Sequence, residues 1–256
     1  MKASTRPSTR KTRPLAAAAG LALLLAGWEV ASLATAKELI LPSPARVLEA
    51  AISLYPTRRF LLDLGATFLR GLAAFGLSAG IGLAAGLASG LRPLFGATLA
   101  PILTAIRATP VLALVLIILL WFPAGFVPIF AAFLMAFPIM ATSAAEGARA
   151  ADPRLLEMAR LFRVPRREVF LKLRLPSAAP HLLSGAKSAL GLSWKVVVAG
   201  EILSQPASAL GTGMQDSRLL LESASVFAWA LAAVALCGLT EWALGLAATR
   251  ASRDGL

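Results

Sequence analysis

Charged residues are scarce in this chain, and their scarcity limits the kinds of protein that it can be. Only 15% of the 256 residues are charged, 58% are hydrophobic, and the mean hydropathy is +0.76. Soluble domains carry about 25% charged and about 45–50% apolar residues. The composition therefore excludes an ordinary soluble domain and predicts a membrane protein.

The residues that perform most enzyme chemistry are also few. The chain has one histidine, His181, and one cysteine, Cys237, and its 13 acidic residues are scattered. A lone cysteine in an apolar run excludes an intrachain disulfide and is typical of a packing residue. A membrane-embedded enzyme would need clustered carboxylates, paired histidines or a nucleophile beside its base, and the sequence shows none of these patterns. We expect His181, which follows Pro180, to be an interfacial residue.

Three function classes lose support from missing patterns. The sequence has no Walker-type glycine loop, so the chain is not expected to hydrolyse ATP. It has no convincing internal repeat, which stand-alone carriers often show; an ATP-independent carrier or channel is kept as the alternative function. The net charge of +12 does not indicate nucleic-acid binding, because there is one tyrosine and the basic residues lie beside apolar segments.

Long apolar runs are what the chain does have. A spanning helix needs about 20 mostly apolar residues. Six segments qualify, namely residues 15–35, 62–89, 95–121, 126–145, 181–203 and 224–248. We therefore predict an all-α polytopic membrane protein with a basic tail at residues 1–14, a first span at 15–35 and a transmembrane domain at 60–250.

The distribution of lysine and arginine predicts the orientation. With the N-terminus inside, sixteen basic residues face the cytoplasm and five face the outside, while four lie within spans. This excess predicts six spans with both termini cytoplasmic. Ala34-Thr35-Ala36 could be a signal-peptide cleavage site, but the preceding apolar run is long for that role, so an uncleaved first span is favoured.

Glycine recurs in the second apolar segment at the spacing of close helix contacts. Gly76 and Gly80 are four residues apart, and so are the successive residues Gly82, Gly86 and Gly90. In lipid, small residues at this spacing let helices approach closely. Packing within the chain and a dimer contact both fit this pattern.

The loop at residues 146–176 combines eight basic residues with helical patterning. Asp152-Pro153 is a helix start, because Asp can cap free N–H groups and Pro suits the first position. An apolar stripe follows at Leu155, Met158, Ala159 and Phe162. Val164-Pro165 breaks this helix. A second short helix is predicted from Pro165 to Leu175-Pro176, which ends it. Such a hairpin could rest on anionic lipid or dock a partner.

This loop resembles the cytoplasmic loop of permease subunits of bacterial ABC importers, which carries E-A-A-x3-G-x9-I-x-L-P. The corresponding residues here are Glu157-Met158-Ala159, Arg163 and Leu173-Arg174-Leu175-Pro176. Met158 replaces the first alanine and Leu173 the isoleucine. Arg163 replaces the glycine that marks the turn, where a residue without Cβ is tolerated best. Either Arg163 or Pro165 could set the bend.

Flanking segments resemble the nitrate/sulfonate/taurine group of these permeases. They are Pro110-Val111-Leu112-Ala113-Leu114 with Leu120-Trp121-Phe122, Gly191-Leu192-Ser193-Trp194-Lys195, Ala199-Gly200-Glu201 and Leu210-Gly211. The resemblance covers about residues 41–248. It implies the type I ABC importer permease (MetI-like) fold with six transmembrane helices, in the bacterial inner membrane.

The resemblance also implies partners and site residues. The partners would be cytoplasmic ATP-binding subunits, a second permease copy, membrane lipid, and an external solute-binding protein facing residues 204–223; the chain itself would bind no cofactor. The expected ATPase-coupling residues are Glu157, Ala159, Leu161, Phe162, Arg163, Val164, Leu175 and Pro176. Sulfonates, taurine, nitrate and pyrimidine-type thiamine precursors are open as substrates.

Ionisable residues inside spans are costly and are usually paired or functional. Arg70, Arg107, Lys195 and Glu201 lie within predicted spans. Arg107, Trp194, Lys195 and Glu201 are the candidates to line the substrate path. Alternatively, Arg107 and Lys195 pair with Glu201 or Glu241, or extend to an interface.

Overall fold

The structure is a computed structural model that describes residues 12–35 and 37–253. Most of the predicted basic tail, residues 1–11, lies outside the described residues. So does Ala36 of the Ala34-Thr35-Ala36 motif, so cleavage there stays a hypothesis.

Every regular element in the described residues is helical, as the composition predicts. The helices are α1 (Thr12–Thr35), α2 (Pro44–Leu54), α3 (Arg58–Leu91), α4 (Pro93–Ala108), α5 (Val111–Ile118), α6 (Val127–Arg149), α7 (Pro153–Leu161), α8 (Arg166–Val169), α9 (Leu175–Ser204), α10 (Leu210–Leu219) and α11 (Ser223–Arg253). A π-helical turn, Phe170–Arg174, joins α8 to α9.

Four helices in the described residues are long and apolar enough to cross a membrane. They lie in α1, α3, α6 and α11, and the bent pair of α4 and α5 makes a fifth if it is one span. Helix α9 covers the segment predicted at 181–203 but is not among these candidates. Lys187, Lys195 and Glu201 lower its hydropathy, so the predicted count of six spans is not confirmed.

The segment predicted as one span at 95–121 is two helices separated by a sharp bend, so it is either a broken span or a re-entrant loop. Helices α4 and α5 meet at an angle of 97°. The break falls at Thr109, whose backbone is extended with φ −75° and ψ 125°. Pro110 causes it, because a proline ring clashes with a helical residue before it. Pro101, in contrast, stays inside α4.

Helix α6 is the centre of the bundle, with α3 on one side and α9 on the other. Helices α3 and α6 run parallel, since an added Cβ would meet Ala144 at Gly86 and Ala148 at Gly90, each at 2.6 Å. These glycines and Gly82 therefore serve packing within the chain. Nothing in the described chain lies within 4 Å of a Cβ built at Gly76.

Helix α9 runs antiparallel to α6. Gly147 near the end of α6 contacts Ala178 at the start of α9, and Gly200 near the end of α9 contacts Pro128 at the start of α6. The bundle therefore has two ends. The loop at residues 146–176, here called the coupling loop, lies at one end, and α10 lies at the other.

The second short helix of the coupling loop does not end at Leu175-Pro176 as predicted. It continues through the π turn into α9. In this turn the Leu175 N–H donates to the Phe170 carbonyl, five residues back. The wider turn makes room for the Pro176 ring, which would clash with a carbonyl four residues before it in a regular helix.

Candidate functional site

The first helix of the coupling loop begins where the sequence predicts. The Asp152 carboxylate accepts a hydrogen bond from the Arg154 N–H at 2.8 Å, and Pro153 is the first helical residue. This cap satisfies one of the free N–H groups at the helix start.

The turn after α7 is set at Arg163. Its φ of 50° is left-handed. The Arg163 N–H donates to the Arg160 carbonyl at 3.0 Å, and the Val164 N–H donates to the Ala159 carbonyl at 2.9 Å. This pair of bonds is the Schellman arrangement, whose left-handed residue is usually glycine. Arg163 thus adopts the strained conformation that the family's glycine would adopt without cost.

Exposure along the apolar stripe of α7 rises toward the end of the helix, from 42% at Leu155 and 50% at Met158. Leu155, Met158 and Ala159 line a cavity shared with Val169 and Leu173 of the second helical segment. Leu161 and Phe162, at the end of α7, are 82% and 78% exposed. Large apolar side chains this exposed on an ordered turn form a knob that can fit into a partner.

A basic cavity lies on another side of the coupling loop. It has a volume of about 640 Å³ and is lined by Arg160, Arg166 and Arg174 over an apolar floor that includes Leu156 and Val169. None of the three arginines has an ion-pair partner among the described side chains. The cavity can therefore accept an anionic group.

The other predicted coupling residues lie around this hairpin. Glu157 is exposed on α7, and Val164 follows the turn. Leu175 and Pro176 are half-buried at the start of α9, close to Ala178, which is buried against Gly147. The base of the hairpin is thus fixed to the α6–α9 pair.

A buried polar cluster lies near the opposite end of the bundle. The Glu201 side chain is fully buried, and its carboxylate accepts hydrogen bonds from the Thr67 hydroxyl at 2.9 Å, the Gly211 N–H at 3.2 Å and Arg70 Nη1 at 2.9 Å. Buried carboxylates are tolerated only with such donors and an opposite charge. The cluster satisfies Glu201 entirely from within the chain.

The same cluster connects four parts of the fold. Arg70 Nη1 also donates to the Ser208 carbonyl at 2.7 Å, and Arg70 Nε donates to the Gly125 carbonyl at 3.3 Å. The Thr67 hydroxyl accepts from the Leu210 N–H at 2.9 Å. One arginine thus ties α3 to α9, to the segment before α10 and to the connection between α5 and α6.

The structure does not bring the four predicted path residues together by ion pairs. Arg107 donates to the Pro138 carbonyl at 3.0 Å and to the Thr142 hydroxyl, and Lys195 is exposed without a hydrogen bond among the described residues. Trp194 is 3% exposed, and its ring stacks on Phe68 at 6.1 Å. The alternative, a pairing of Arg107 or Lys195 with Glu201 or Glu241, is absent from the described side chains.

The partner of Glu201 is Arg70, which the sequence argument did not assign. The sequence signal that could have identified this pair was the distance of each residue from the end of its helix. Arg70 lies twelve residues after the first residue of α3, and Glu201 lies three residues before the last residue of α9. Because α3 and α9 are antiparallel, both residues fall toward the same end of the bundle.

Ion pairs and a tyrosine surround α10 at this end. Arg59 pairs with Asp63 at 3.7 Å and with Asp216 of α10. The Tyr55 hydroxyl donates to the Ala228 carbonyl at 2.9 Å, and burial raises the pKa of Tyr55. A cavity of about 600 Å³ opens nearby, lined by Glu38, Arg46, Glu49 and residues 221–225.

Candidate metal ligands are dispersed in the described part of the chain. No group of three or more histidine, cysteine, aspartate or glutamate side chains there could hold a metal ion.

Named relatives of this chain are transport permeases. It is 29% identical over 212 residues to the aliphatic sulfonates transport permease protein SsuC of Bacillus subtilis, covering 81% of this chain and 75% of the relative. It is 30% identical over 187 residues to the taurine transport permease TauC of Escherichia coli, covering 71% and 68%. The nitrate import permease NrtB of Synechocystis is 27% identical over 203 residues, covering 73% and 70%.

A family model covers most of the helical bundle. Residues 76–253 match the family described as the inner membrane component of binding-protein-dependent transport systems. The match includes the coupling loop, α9 and α10. The chain therefore belongs to this family of inner membrane transport components.

Proposed function

We propose that this chain is the permease subunit of an ATP-driven importer and that its coupling loop docks onto a cytoplasmic ATP-binding subunit. The observation that carries the proposal is the knob of Leu161 and Phe162, 82% and 78% exposed on a capped turn. Exposed apolar anchors of this kind are what a partner pocket buries.

The proposed assembly contains two permease copies with both termini in the cytoplasm. The excess of basic residues on the side of the coupling loop supports this orientation. Arg160, Arg166 and Arg174, free of ion-pair partners among the described residues, face anionic lipid or an acidic partner surface there. The chain lacks a Walker-type glycine loop, so ATP hydrolysis belongs to the partner.

The transported solute is a small molecule with an anionic group, of the sulfonate, taurine or nitrate kind, and it is delivered by an external binding protein. Support comes from relatives named for sulfonates, taurine, bicarbonate and nitrate. Arg107, which bonds to the Pro138 carbonyl and the Thr142 hydroxyl, and Lys195, which is exposed, could attract such a solute. Trp194, buried beside Phe68, and Glu201, buried with Arg70, would shape the path rather than bind the anion.

The coupling proposal is tested with Ala159→Leu and Arg163→Glu in the assembled transporter. Leucine at 159 would place added bulk in the cavity between the two helical segments, and glutamate at 163 would reverse the charge beside the knob. We expect solute uptake to fall at least tenfold while ATP hydrolysis persists. Arg154→Glu, at the start of α7, is the matched control and should transport normally. Full uptake by both test variants would contradict the proposal.

The solute class is tested on the cognate binding protein. Isothermal titration with taurine, an alkanesulfonate, nitrate, bicarbonate and a thiamine-precursor pyrimidine would identify the ligand. Uptake of that labelled ligand should then require this chain. Binding of the uncharged pyrimidine alone would overturn the anionic assignment.

A further inference from the structure

We propose that Arg70 and Glu201 form the gate pair that holds the end of the bundle opposite the coupling loop closed. This inference rests on the proposed transport function, because a gate has meaning only for a pathway between two sides. Its elements are the buried polar cluster and the segment Gln205–Ala209 that leads into α10.

The first argument is the place of α10. This ten-residue helix begins at Leu210, and its first two N–H groups donate to Thr67 and Glu201 at 2.9 and 3.2 Å. The N-cap residue, Ala209, supplies no side-chain cap of its own. The cluster therefore supplies the acceptors that the start of α10 would otherwise take from a cap or from water. If the cluster separates, α10 loses both of these hydrogen bonds, while the exposed pair of Arg59 and Asp216 still joins it to α3.

The second argument is the reach of Arg70. Its guanidinium bonds to the Ser208 carbonyl before α10 and to the Gly125 carbonyl before α6. The two carbonyls lie in different chain segments, one between α5 and α6 and the other between α9 and α10, and both segments cover the same end of the bundle. One side chain on α3 holds both, so movement of Arg70 would release both together.

The third argument is energetic. A buried ion pair is expensive to desolvate, and its net contribution to stability is small even when its geometry is good. Arg70 is not sealed, since 15% of its side chain is exposed, whereas Glu201 has 0% exposure. Water can therefore reach the arginine first as the end opens. A pair of this kind stabilises one conformation, and hydration of the two charges can replace their hydrogen bond when the end opens. Both properties suit a gate.

The fourth argument is close packing around the cluster. A Cβ at Gly211 would lie 2.8 Å from both the Ile202 N and the Val198 O, so α10 is seated directly on the backbone of α9. The Gln205 backbone, with φ 45°, makes the sharp reversal between the two helices. The segment is thus a short arm folded back on α9 and fastened by the gate pair.

The test begins by removing the single cysteine of the chain and placing a new one near the gate pair. Cys237→Ser removes the native cysteine, and Ser204→Cys then provides a reporter at the end of α9. Ser204 is 8% exposed, and its hydroxyl has no hydrogen-bond partner in the described structure, so the substitution removes no contact. Labelling by a membrane-impermeant maleimide is followed in sealed membranes that contain the assembled transporter, with the reagent applied to each side separately.

The gate variants are Arg70→Gln, Glu201→Gln and the double variant. The double variant removes both charges, so no unpaired charge stays buried and folding is preserved. We expect it to label at least tenfold faster than the parent from the outer side. Arg70→Lys keeps the charge but loses the fork that reaches Gly125 and Ser208, and it should label at an intermediate rate. Arg46→Gln, which removes exposed ion pairs at this end, should not change the rate.

The outcomes separate the gate from the proposed function. An unchanged labelling rate in the double variant, with normal thermal stability, overturns the gate. Faster labelling that occurs only from the cytoplasmic side supports closure of this end by the gate pair but overturns the proposed orientation. Faster labelling from the outer side, together with loss of solute-stimulated ATP hydrolysis, supports both.

Discussion

The coupling loop and the buried polar cluster lie at opposite ends of α9 and handle charge in opposite ways. In the loop, Arg160, Arg166 and Arg174 surround an open cavity without ion-pair partners among the described side chains. In the cluster, Arg70 and Glu201 are buried together at 2.9 Å. Free surface charge is available to a partner, whereas buried paired charge holds parts of the same chain together.

The difference teaches how one chain serves two tasks. The loop keeps apolar anchors exposed at a cost to its own stability, and such exposure is typical of interaction sites. The cluster exposes almost nothing and orders four segments. Substitutions should therefore weaken partner binding at one end and folding or closure at the other.

The largest effect is expected from Glu201→Ala. This change leaves Arg70, whose side chain is 15% exposed, with no counter-charge and removes the acceptor of the Gly211 N–H. Breaking one side of a buried pair costs about 3–5 kcal/mol. Chemical denaturation in detergent should show this loss, and the double change with Arg70→Gln should recover part of it. A loss below about 1 kcal/mol would mean that the pair is hydrated and not buried.

Phe162→Ala should have the opposite profile. Phe162 is 78% exposed, so the free energy of unfolding should not change measurably. Affinity for the ATP-binding subunit should fall about thirtyfold, which corresponds to about 2 kcal/mol at an anchor residue. Titration of the purified partner onto the permease measures this. Phe126→Ala, 51% exposed at the other end, is the control that should bind normally.

Gly211→Ala tests the seating of α10. The added methyl group would lie 2.5 Å from the Cβ of Glu201 and 2.8 Å from the backbone of α9, and these atoms cannot move aside without shifting the helix. We expect a loss of about 1–2 kcal/mol from overpacking. Gly238→Ala, in α11, has nothing within 4 Å in the described chain and should be neutral or slightly stabilising. Equal behaviour of the two variants would argue against the close contact.

Arg163→Gly should stabilise the coupling loop. The φ of 50° is strained for arginine and free of strain for glycine. The gain should be about 0.5–1 kcal/mol, because glycine also costs entropy on folding. Hydrogen exchange of the amides of residues 159–164 would show slower opening. Faster exchange would mean that the arginine side chain, not the backbone, holds the turn.

The smallest effect belongs to Arg46→Gln. Glu49 and Glu38 hydrogen-bond and pair with this exposed guanidinium and raise the pKa of Arg46. Exposed pairs are screened by water and salt, so neither stability nor labelling of the far end should change. A measurable loss would show that the nearby cavity is covered in the assembled transporter.

The local features of the coupling loop could be predicted from the sequence because they depend on nearby residues. Asp152-Pro153 starts α7 by capping, and the apolar stripe follows from helical spacing. The sequence did not predict the π turn, because Leu175-Pro176 is a pattern typical of a helix end. Only packing of the following helix on α6, through Ala178 and Gly147, decides that the chain continues.

Long-range pairing could not be predicted from the pattern. The sequence places Arg70, Arg107, Lys195 and Glu201 inside spans but not on particular faces. The direction and rotation of α3 against α9 select Arg70 as the partner of Glu201. The 97° break at Thr109 could have been predicted from the sequence, because Pro110 disfavours a helical residue before it. Pro101, which lies inside α4, shows that a proline need not break a helix.

The unbroken run of α9 has a mechanical consequence. From Leu175 to Glu201 the helix extends about 39 Å, with the coupling loop joined to one end and the gate pair at the other. If this rod tilts about its loop end by about 5°, Glu201 moves by about 3 Å, which equals the length of its bond to Arg70. A small tilt at the loop end is thus large enough to part a hydrogen bond at the far end of the bundle.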